Sequence, residues 1–361
     1  MSILILIFTS IFILFILISF CLILLNNKTN KPVNISENLN IAVIIAAHNE
    51  QENVNTIIDA INNLICPKED YEVIIVDDNS TDNTFEVLRE KTSGTKNISI
   101  TQLSSIGQSG KRNALTFGIN QSKFPFILIT DADCQPESNW LKAYSEKFLL
   151  GYDILFGIAP FYKRKSLVNR ISCFENFRNS LFSFSMASIG LPYTAAARNF
   201  GFTKNAFRKL EGYSNTKDTL SGDDDLLLRE AVKRKMKIGV VIDEGSLVHS
   251  ETKKTFKEYF QQRGRHTQTS FHYLKKHQFI LGIWHLTNLL FLFSPILMII
   301  NPLLGILFAA KLFVDLIVTK TTQKEFGYKF SILEIFPLQI IYEIFLIIHF
   351  FNARFGKIKW K

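Results

Sequence analysis

Two carboxylates one residue apart, Asp131 and Asp133, stand where the apolar run 126–129 stops. A short apolar run of this kind reads as a buried strand. In an open α/β sheet, ligands collect in the crevice beyond the carboxyl ends of the strands. Hard oxygen ligands there suit Mg²⁺ or Mn²⁺, bound through one or two carboxylates plus substrate phosphates. Asp is also common in solvated turns, so the pair taken alone has two readings.

Other stretches supply parts of the same chemistry. Asn49 and Glu50 follow the apolar run 41–45, and Asp77 and Asp78 follow the run 71–76. On one sheet edge, an early acid could accept hydrogen bonds from a base or ribose while a later one holds a metal. Neither the dinucleotide fingerprint nor the phosphate loop is present, so phosphate charge falls to metal and side chains. Lys111 and Arg112, at an expected helix start, are candidates, or they decorate a solvated helix face. Asp223, Asp224 and Asp225 precede an apolar run, where acids favour a helix N-terminus. A carboxylate there could equally take the proton of an attacking hydroxyl. In Gln262-Arg263-Gly264-Arg265-His266, guanidinium groups could neutralise a departing diphosphate or face lipid. His249 is either a further metal ligand or a structural histidine.

These residues need elements to position them. Apolar runs at 41–45, 71–76, 98–102 and 126–129 alternate with helical stretches, which argues an α/β fold with a mostly parallel sheet. Residues 1–25 carry no charged side chain, and about 20 apolar residues cross a hydrocarbon core. Without a basic start or a small-residue cleavage site they read as an anchor rather than a signal peptide. Lys28 and Lys31 follow, which puts the next domain in the cytoplasm. Residues 160–200 mix Phe and Leu with Arg164, Arg170, Arg178 and Arg198, as an interfacial helix or a core helix would. Segments 279–300 and 303–318 are expected to form a membrane hairpin turning at Asn301-Pro302. A third segment, 332–351, contains Glu334, Pro337 and Glu343. Three crossings would put the basic residues 352–361 outside, so this last segment is expected to lie in the interface or re-enter. The plan is an anchor at 1–25, a catalytic domain at 40–275, membrane helices at 279–351 and a basic cytoplasmic tail at 352–361.

Composition narrows the class. The formal charge is +9, and the Lys and Arg flank apolar segments instead of forming one basic tract. That favours anionic lipid or phosphorylated substrates over nucleic acid, for which no module is present. Cys21, Cys66, Cys134 and Cys173 have no metal-type spacing and suggest no disulfide framework.

Together the motifs resemble a membrane-bound family-2 glycosyltransferase with the GT-A fold, a Rossmann-like sheet, over about residues 41–270 and the membrane segments at both ends. VIIAAHNE resembles the family's opening strand and Asn-Glu turn, with Ala46 where Pro is usual. This implies donor contacts at Ala46, His48, Asn49 and Glu50. VIIVDDNSTDNT is similar to the nucleotide-binding acidic loop, with Asp77 and Asp78. GQSGKRNAL resembles the Gly-Lys segment near the nucleotide, with Lys111. Asp131-Ala132-Asp133 resembles the metal-binding DxD, and TAAARNFGFTKNAFRKLEGY the acceptor-side segment, with Arg198 and Asn199. SGDDDLLLR aligns onto Thr-Glu-Asp-x-Asp-Leu-x-x-Arg, which puts Asp223 at the catalytic base, Gly222 where Glu is common, and Asp224 as the fallback base. Gln262 to His266 resembles Gln-x-x-Arg-Trp, with His266 for Trp, so Gln262 and Arg265 are expected at the departing diphosphate.

The resemblance implies transfer with inversion from a nucleotide-diphosphate sugar to a lipid or glycan acceptor in cell-envelope glycan synthesis. Mg²⁺ or Mn²⁺ would sit on Asp131 and Asp133, with His249 as a further ligand. The expected location is the cell inner membrane, multi-pass, with the catalytic domain cytoplasmic. A polyprenyl-phosphate transferase is the nearest alternative, and a non-catalytic receptor for nucleotide sugars is another.

Overall fold

A computed structural model of the chain describes residues 2–28, 40–219 and 222–356. Lys31 of the linker, Ser221 and the basic Lys357, Lys359 and Lys361 lie outside the described residues. The first apolar stretch forms α1 (Ser2–Lys28). Strands and helices then alternate through β1 (Ile41–Ala47), α2 (Val54–Asn62), β2 (Tyr71–Asp77), α3 (Thr84–Lys91), β3 (Ile98–Gln102), α4 (Lys111–Gln121) and β4 (Phe126–Asp131). Next come β5 (Cys134–Pro136), α5 (Trp140–Leu149), β6 (Ile154–Gly157) and the long α6 (Leu167–Ser188). They are followed by β7 (Phe200–Thr203), α7 (Lys204–Lys209), α8 (Asp223–Lys233), β8 (Ile238–Val241) and β9 (Val248–Ser250). Four more helices follow: α9 (Phe256–Ser270), α10 (Lys275–Phe293), α11 (Leu303–Thr322) and α12 (Ile332–Phe355).

These elements group into two compact units. All nine strands, with α2–α5, α7 and α8, form one; α1, α6 and α9–α12 form the other. The 40–275 stretch drawn from sequence therefore has its strands in the first unit and its helices α6 and α9 in the second.

In the strand-bearing unit, a seven-stranded sheet runs in the order β3-β2-β1-β4-β7-β6-β8. β7 alone is antiparallel to its neighbours, and β5 pairs with β9 in a separate ribbon. The expected mostly parallel α/β sheet is present. Its central strands are apolar on both faces, so Val43, Ile44, Ile45, Val73 and Leu128 are all buried. Trp140 and Tyr144 of α5 complete this core around one polar hub. Asn199 accepts from Trp140 Nε1 at 2.8 Å and Tyr144 OH at 2.7 Å. Its Nδ2 donates to the carbonyls of Ile158 and Ser246.

The helical unit buries ions as well as rings. Arg178 of α6 bridges to Asp315 of α11 at 2.8 Å, and Lys311 reaches the same carboxylate at 2.7 Å. Glu175 of α6 pairs with Arg263 of α9 and accepts from Tyr259 OH. Although burial alone would raise it, the Arg263 guanidinium and His349 hold the Glu175 carboxyl down at about 2. Within the arginine-bearing stretch, α6 is thus a largely buried helix of this unit that carries Arg170 and Arg178, while Arg164 precedes it exposed and Arg198 lies in the strand-bearing unit. Phe15 of α1 stacks on Trp284 of α10. Three segments are long and apolar enough to cross a membrane: Ile5–Leu24, Lys275–Ile299 and Ile332–Phe355. The expected second hairpin arm, α11, is not among them, because it carries the paired Lys311 and Asp315. The 332–351 segment, expected in the interface, does meet the length and hydropathy of a crossing. It also packs against α9 and α6.

Gly157 tests the Asn199 hub. A Cβ there would strike the Asn199 side-chain amide. Gly157→Ala is expected to lower stability by about 1–3 kcal/mol, the usual cost of overpacking, read as an earlier thermal unfolding midpoint. An unchanged midpoint would mean the hub yields freely.

Candidate active site

Strand register brings the acids to one level. Ala47 pairs with Asp77 on one side of β1, and Ala46 pairs with Asp131 on the other. Just beyond this edge, His48, Asn49 and Glu50 interlock with the acidic loop. His48 Nδ1 lies 2.6 Å from the Asp78 carbonyl, and Asn49 Oδ1 accepts from Thr81 N at 2.8 Å. Glu50 N donates to Thr84 Oγ1 at 2.8 Å. Asn49 and Asn79 both take left-handed φ values, near 56° and 57°, which Asn tolerates. These residues shape the loop pair as much as they line it.

The loop acids divide the work. Asp77 is buried and accepts from Ser80 N, while its Oδ1 has no hydrogen-bond partner among the described residues. Asp78 Oδ1 accepts from Gly110 N at 2.7 Å. Gly110, with φ near 95°, caps α4 in a conformation that glycine adopts without strain.

The two residues after Gly110 carry charge to two further acids. Lys111 Nζ meets Asp131 Oδ1 at 2.5 Å, and Arg112 Nε meets Asp223 Oδ1 at 2.5 Å. Burial would lower the Lys111 pKa, yet Asp131 beside it holds it well above the ordinary lysine value. Arg112, expected to meet phosphate charge, is instead seated on the candidate base. Spacing could not show this pairing, because the partner lies on α8, 111 residues along the chain.

Asp131, Asp133 and Cys134 present donor atoms within 4.8 Å of one another. Asp133 is exposed, whereas Cys134 is buried and its thiol is pushed well above its ordinary value. The two carboxylates are therefore the hard ligands that could hold Mg²⁺ or Mn²⁺. His249 stands outside this group. Its Nε2 is 2.9 Å from Glu137 and its ring stacks on Tyr162.

Three consecutive acids on α8 have three fates. Asp225 accepts from Thr194 Oγ1 and Ala195 N, which fixes the segment leading to Arg198. Its position directly before the apolar run 226–228 was the available signal for this clamp. Burial pushes the Asp224 carboxyl well above its ordinary value, with Asp225 adding to the effect. Burial raises Asp223 too, but Arg112 pulls it back. Gly222 has φ near 83°, which accounts for glycine where the resemblance expects Glu.

Arg198 donates to the Ala159 carbonyl and lies over Phe161 at 4.6 Å. Asn199, expected to bind substrate, is buried with its amide filled by the hub contacts. Ala46 is half-buried at the edge. Gln262 and Arg265 are half-buried on α9, in the helical unit. Their cluster lies within a helix started by a Thr255–Glu258 capping box.

A mostly parallel sheet that gathers an acidic loop, a DxD pair and an acidic helix start defines a glycosyltransferase of the GT-A class. Comparison with known proteins agrees. Residues 42–208 match the family described as glycosyl transferase family 2, and residues 126–351 match glycosyl transferase family group 2. The chain belongs to the family-2 glycosyltransferases. It is 35% identical to glycosyltransferase AglE of Haloferax volcanii over 102 residues, 28% of this chain and 33% of that protein. It is 34% identical over 110 residues to poly-beta-1,6-N-acetyl-D-glucosamine synthase of Staphylococcus aureus (strain COL), 30% of this chain and 25% of that one. The matched region thus spans a third or less of these curated relatives. The mannosyltransferase PcManGT from Pyrobaculum calidifontis, solved with GDP-Man and Mn²⁺, shares the fold. It aligns with a TM-score of 0.59 and 16% identity over 97% of this chain and 99% of that one.

The geometry separates the ligand candidates. With Mn²⁺ as the probe, read by electron paramagnetic resonance on the full chain, Asp133→Ala should weaken binding at least about tenfold and His249→Ala by less than about twofold. Equal losses in the two variants would return His249 to the ligand set.

Proposed function

We propose that this glycosyltransferase moves a sugar, with inversion, from a nucleotide-diphosphate sugar to a membrane-associated lipid or glycan acceptor in cell-envelope glycan synthesis. The observation that carries this reading is the adjacent pair of bridges, Lys111–Asp131 and Arg112–Asp223. It joins the donor-side acid and the acceptor-side acid at one helix start. The GDP-Man and Mn²⁺ of the structural neighbour accord with such a donor and metal. The polysaccharide synthase among the relatives accords with a glycan acceptor.

In this reading the loop bearing Asp77 and Asp78 accepts hydrogen bonds from the nucleoside. Asp131 and Asp133 hold Mg²⁺ or Mn²⁺, which when bound supplies Lewis-acid charge to the donor diphosphate. Lys111 adds a fixed cation beside the same phosphates. Asp223 takes the proton of the acceptor hydroxyl as that oxygen attacks the anomeric carbon, and the bond to the diphosphate breaks on the opposite face. Asp224 is the poorer candidate, because burial favours its neutral form and a neutral carboxyl is a very weak base. Arg265 and Gln262 are assigned to the departing diphosphate by the resemblance of their motif alone. Arg198 and the segment fixed by Asp225 shape the acceptor side.

A multi-pass inner-membrane location, with the catalytic face cytoplasmic, completes the proposal. The long apolar segments Ile5–Leu24 and Lys275–Ile299 support it, as do Lys28 and Lys31 beyond the first of them. We place α12 in the interface, since Glu334 at its start is capped by Ser331 and paired with Lys163 at 2.9 Å.

The test uses the full chain in detergent with a panel of nucleotide sugars and lipid or glycan acceptors, reading nucleoside diphosphate release. Release should require Mg²⁺ or Mn²⁺ and vanish in Asp133→Ala. Asp223→Asn should lower kcat about 10²–10⁴-fold with donor KM kept. Release that survives Asp223→Asn but not Asp133→Ala would assign an already ionised acceptor, a polyprenyl phosphate. No release with any pair would sink the proposal.

A pH profile gives a second check. Because burial raises the Asp223 pKa, its carboxyl stays protonated, and inactive as a base, to a higher pH than an ordinary aspartate. The rate should therefore climb with pH through a midpoint above the usual carboxylate range, and that limb should disappear in Asp223→Asn.

A further inference from the structure

Three consecutive residues at the start of α4 each grasp a different acidic segment. Gly110 N donates to Asp78, Lys111 Nζ to Asp131 and Arg112 Nε to Asp223. Arg112 does more than pair one charge. Its Nη2 also donates to the Thr219 carbonyl at 2.7 Å. Asp223 stands in the first turn of α8, directly after the left-handed Gly222. One planar guanidinium therefore holds both the Thr219 carbonyl and this turn.

We propose that Arg112 is a positioning residue, a strap that fixes the Asp223 carboxylate and its turn in the geometry needed for proton transfer. The proposal rests on the reading of Asp223 as the base. The fork geometry explains why an arginine stands here: Nε and Nη2 reach two acceptors at once, which a single ammonium cannot do at fixed separation. With Oδ1 committed to Arg112, proton transfer falls to Oδ2. Both side chains are largely withdrawn from water, 26% and 17% exposed, so screening by solvent does not reduce the pair to a loose surface contact. Arg112 directly follows Lys111 in the first turn of α4. The donor side and the acceptor side then share one rigid element.

A rival role is direct contact between Arg112 and the donor diphosphate, and another is plain stabilisation of the fold. The experiment separates them on the full chain in detergent, with GDP-mannose and UDP-N-acetylglucosamine as donor probes and Mn²⁺ present. Wild type, Arg112→Ala, Arg112→Lys, Asp223→Asn and the Arg112→Ala/Asp223→Asn double variant are compared for kcat, donor KM and thermal midpoint. Amide hydrogen exchange is followed over residues 213–229.

Misplacing a base by about 1 Å costs up to about 100-fold. Arg112→Ala should accordingly lower kcat about 10–100-fold with donor KM within about twofold and an unshifted midpoint. Arg112→Lys, which keeps the charge and loses the fork, should stay closer to Arg112→Ala than to wild type. Adding Arg112→Ala to Asp223→Asn should cost nothing more, because the group being positioned is already gone. Exchange around the turn should quicken in Arg112→Ala.

A higher donor KM with kcat retained would overturn the proposal in favour of a diphosphate ligand. An undiminished loss in the Asp223→Asn background would overturn it as well, as would unchanged exchange around the turn. A lowered midpoint with a normal kcat would make Arg112 merely structural. Should Asp223→Asn itself keep the wild-type rate, the base reading fails. Exchange would then still report whether Arg112 straps the turn.

Discussion

Carboxylates crowded at the edge of a sheet repel one another, and two unit charges ~4 Å apart interact by about 4 kcal/mol at an effective dielectric of 20. Asp77, Asp78, Asp131, Asp133, Asp223 and Asp224 all belong to one such region, and the fold must tolerate them together. It does so from a single place. The start of α4 offers a backbone N–H to Asp78 and cations to Asp131 and Asp223. A helix N-terminus already favours negative charge, and two basic side chains there add fixed counter-charge without lengthening any loop. The remaining acids are treated differently. Burial pushes the Asp224 carboxyl toward its neutral form, and Asp133 is left in water, where a charge costs little.

The helical unit meets the same problem in a drier setting. Arg178, Lys311, Asp315 and Glu343 lie on three helices and are all buried. Removing any one would strand a charge, a change that typically costs about 3–5 kcal/mol. Ion pairs of this kind are poor sources of net stability but strict about register, since each guanidinium or ammonium must face its acid. Glu175, Arg263, Tyr259 and His349 do the same for α6, α9 and α12. Arg263 thereby anchors α9.

Much of the strand-bearing unit was legible in the sequence. Runs such as 41–45 and 126–129 are apolar without alternation because both faces of a central parallel strand are covered, and the acids after them mark where cover ends. The pairing Ala46–Asp131 and Ala47–Asp77 then follows from strand ends of equal level. Less was legible wherever a long-range partner decides a residue's role. Asn199 looks like a substrate ligand beside Arg198, but Trp140 and Tyr144 claim it. His249 looks like a metal ligand until Glu137 and Tyr162 are seen against it. Arg112 looks like a phosphate residue until α8 is folded beside α4. A motif states which side chains are near the chemistry, and packing decides which of them touch it.

The run Asp223-Asp224-Asp225 shows why spacing alone cannot name a base. All three fall in the first turn of α8, all are equally favoured there by the helix dipole, and each has the same intrinsic acidity. Successive residues of a helix point about 100° apart, so each meets a different environment. Asp225 turns toward Thr194 and becomes a clamp, and burial shifts Asp224 toward its neutral form. Asp223 turns toward Arg112, whose charge opposes the effect of burial on its carboxyl. The ion pair with Arg112 favours the ionised form of Asp223, and a base must be ionised before it can accept a proton. The proposed choice of Asp223 as base thus rests on α4, on a residue next to the one proposed to meet the donor.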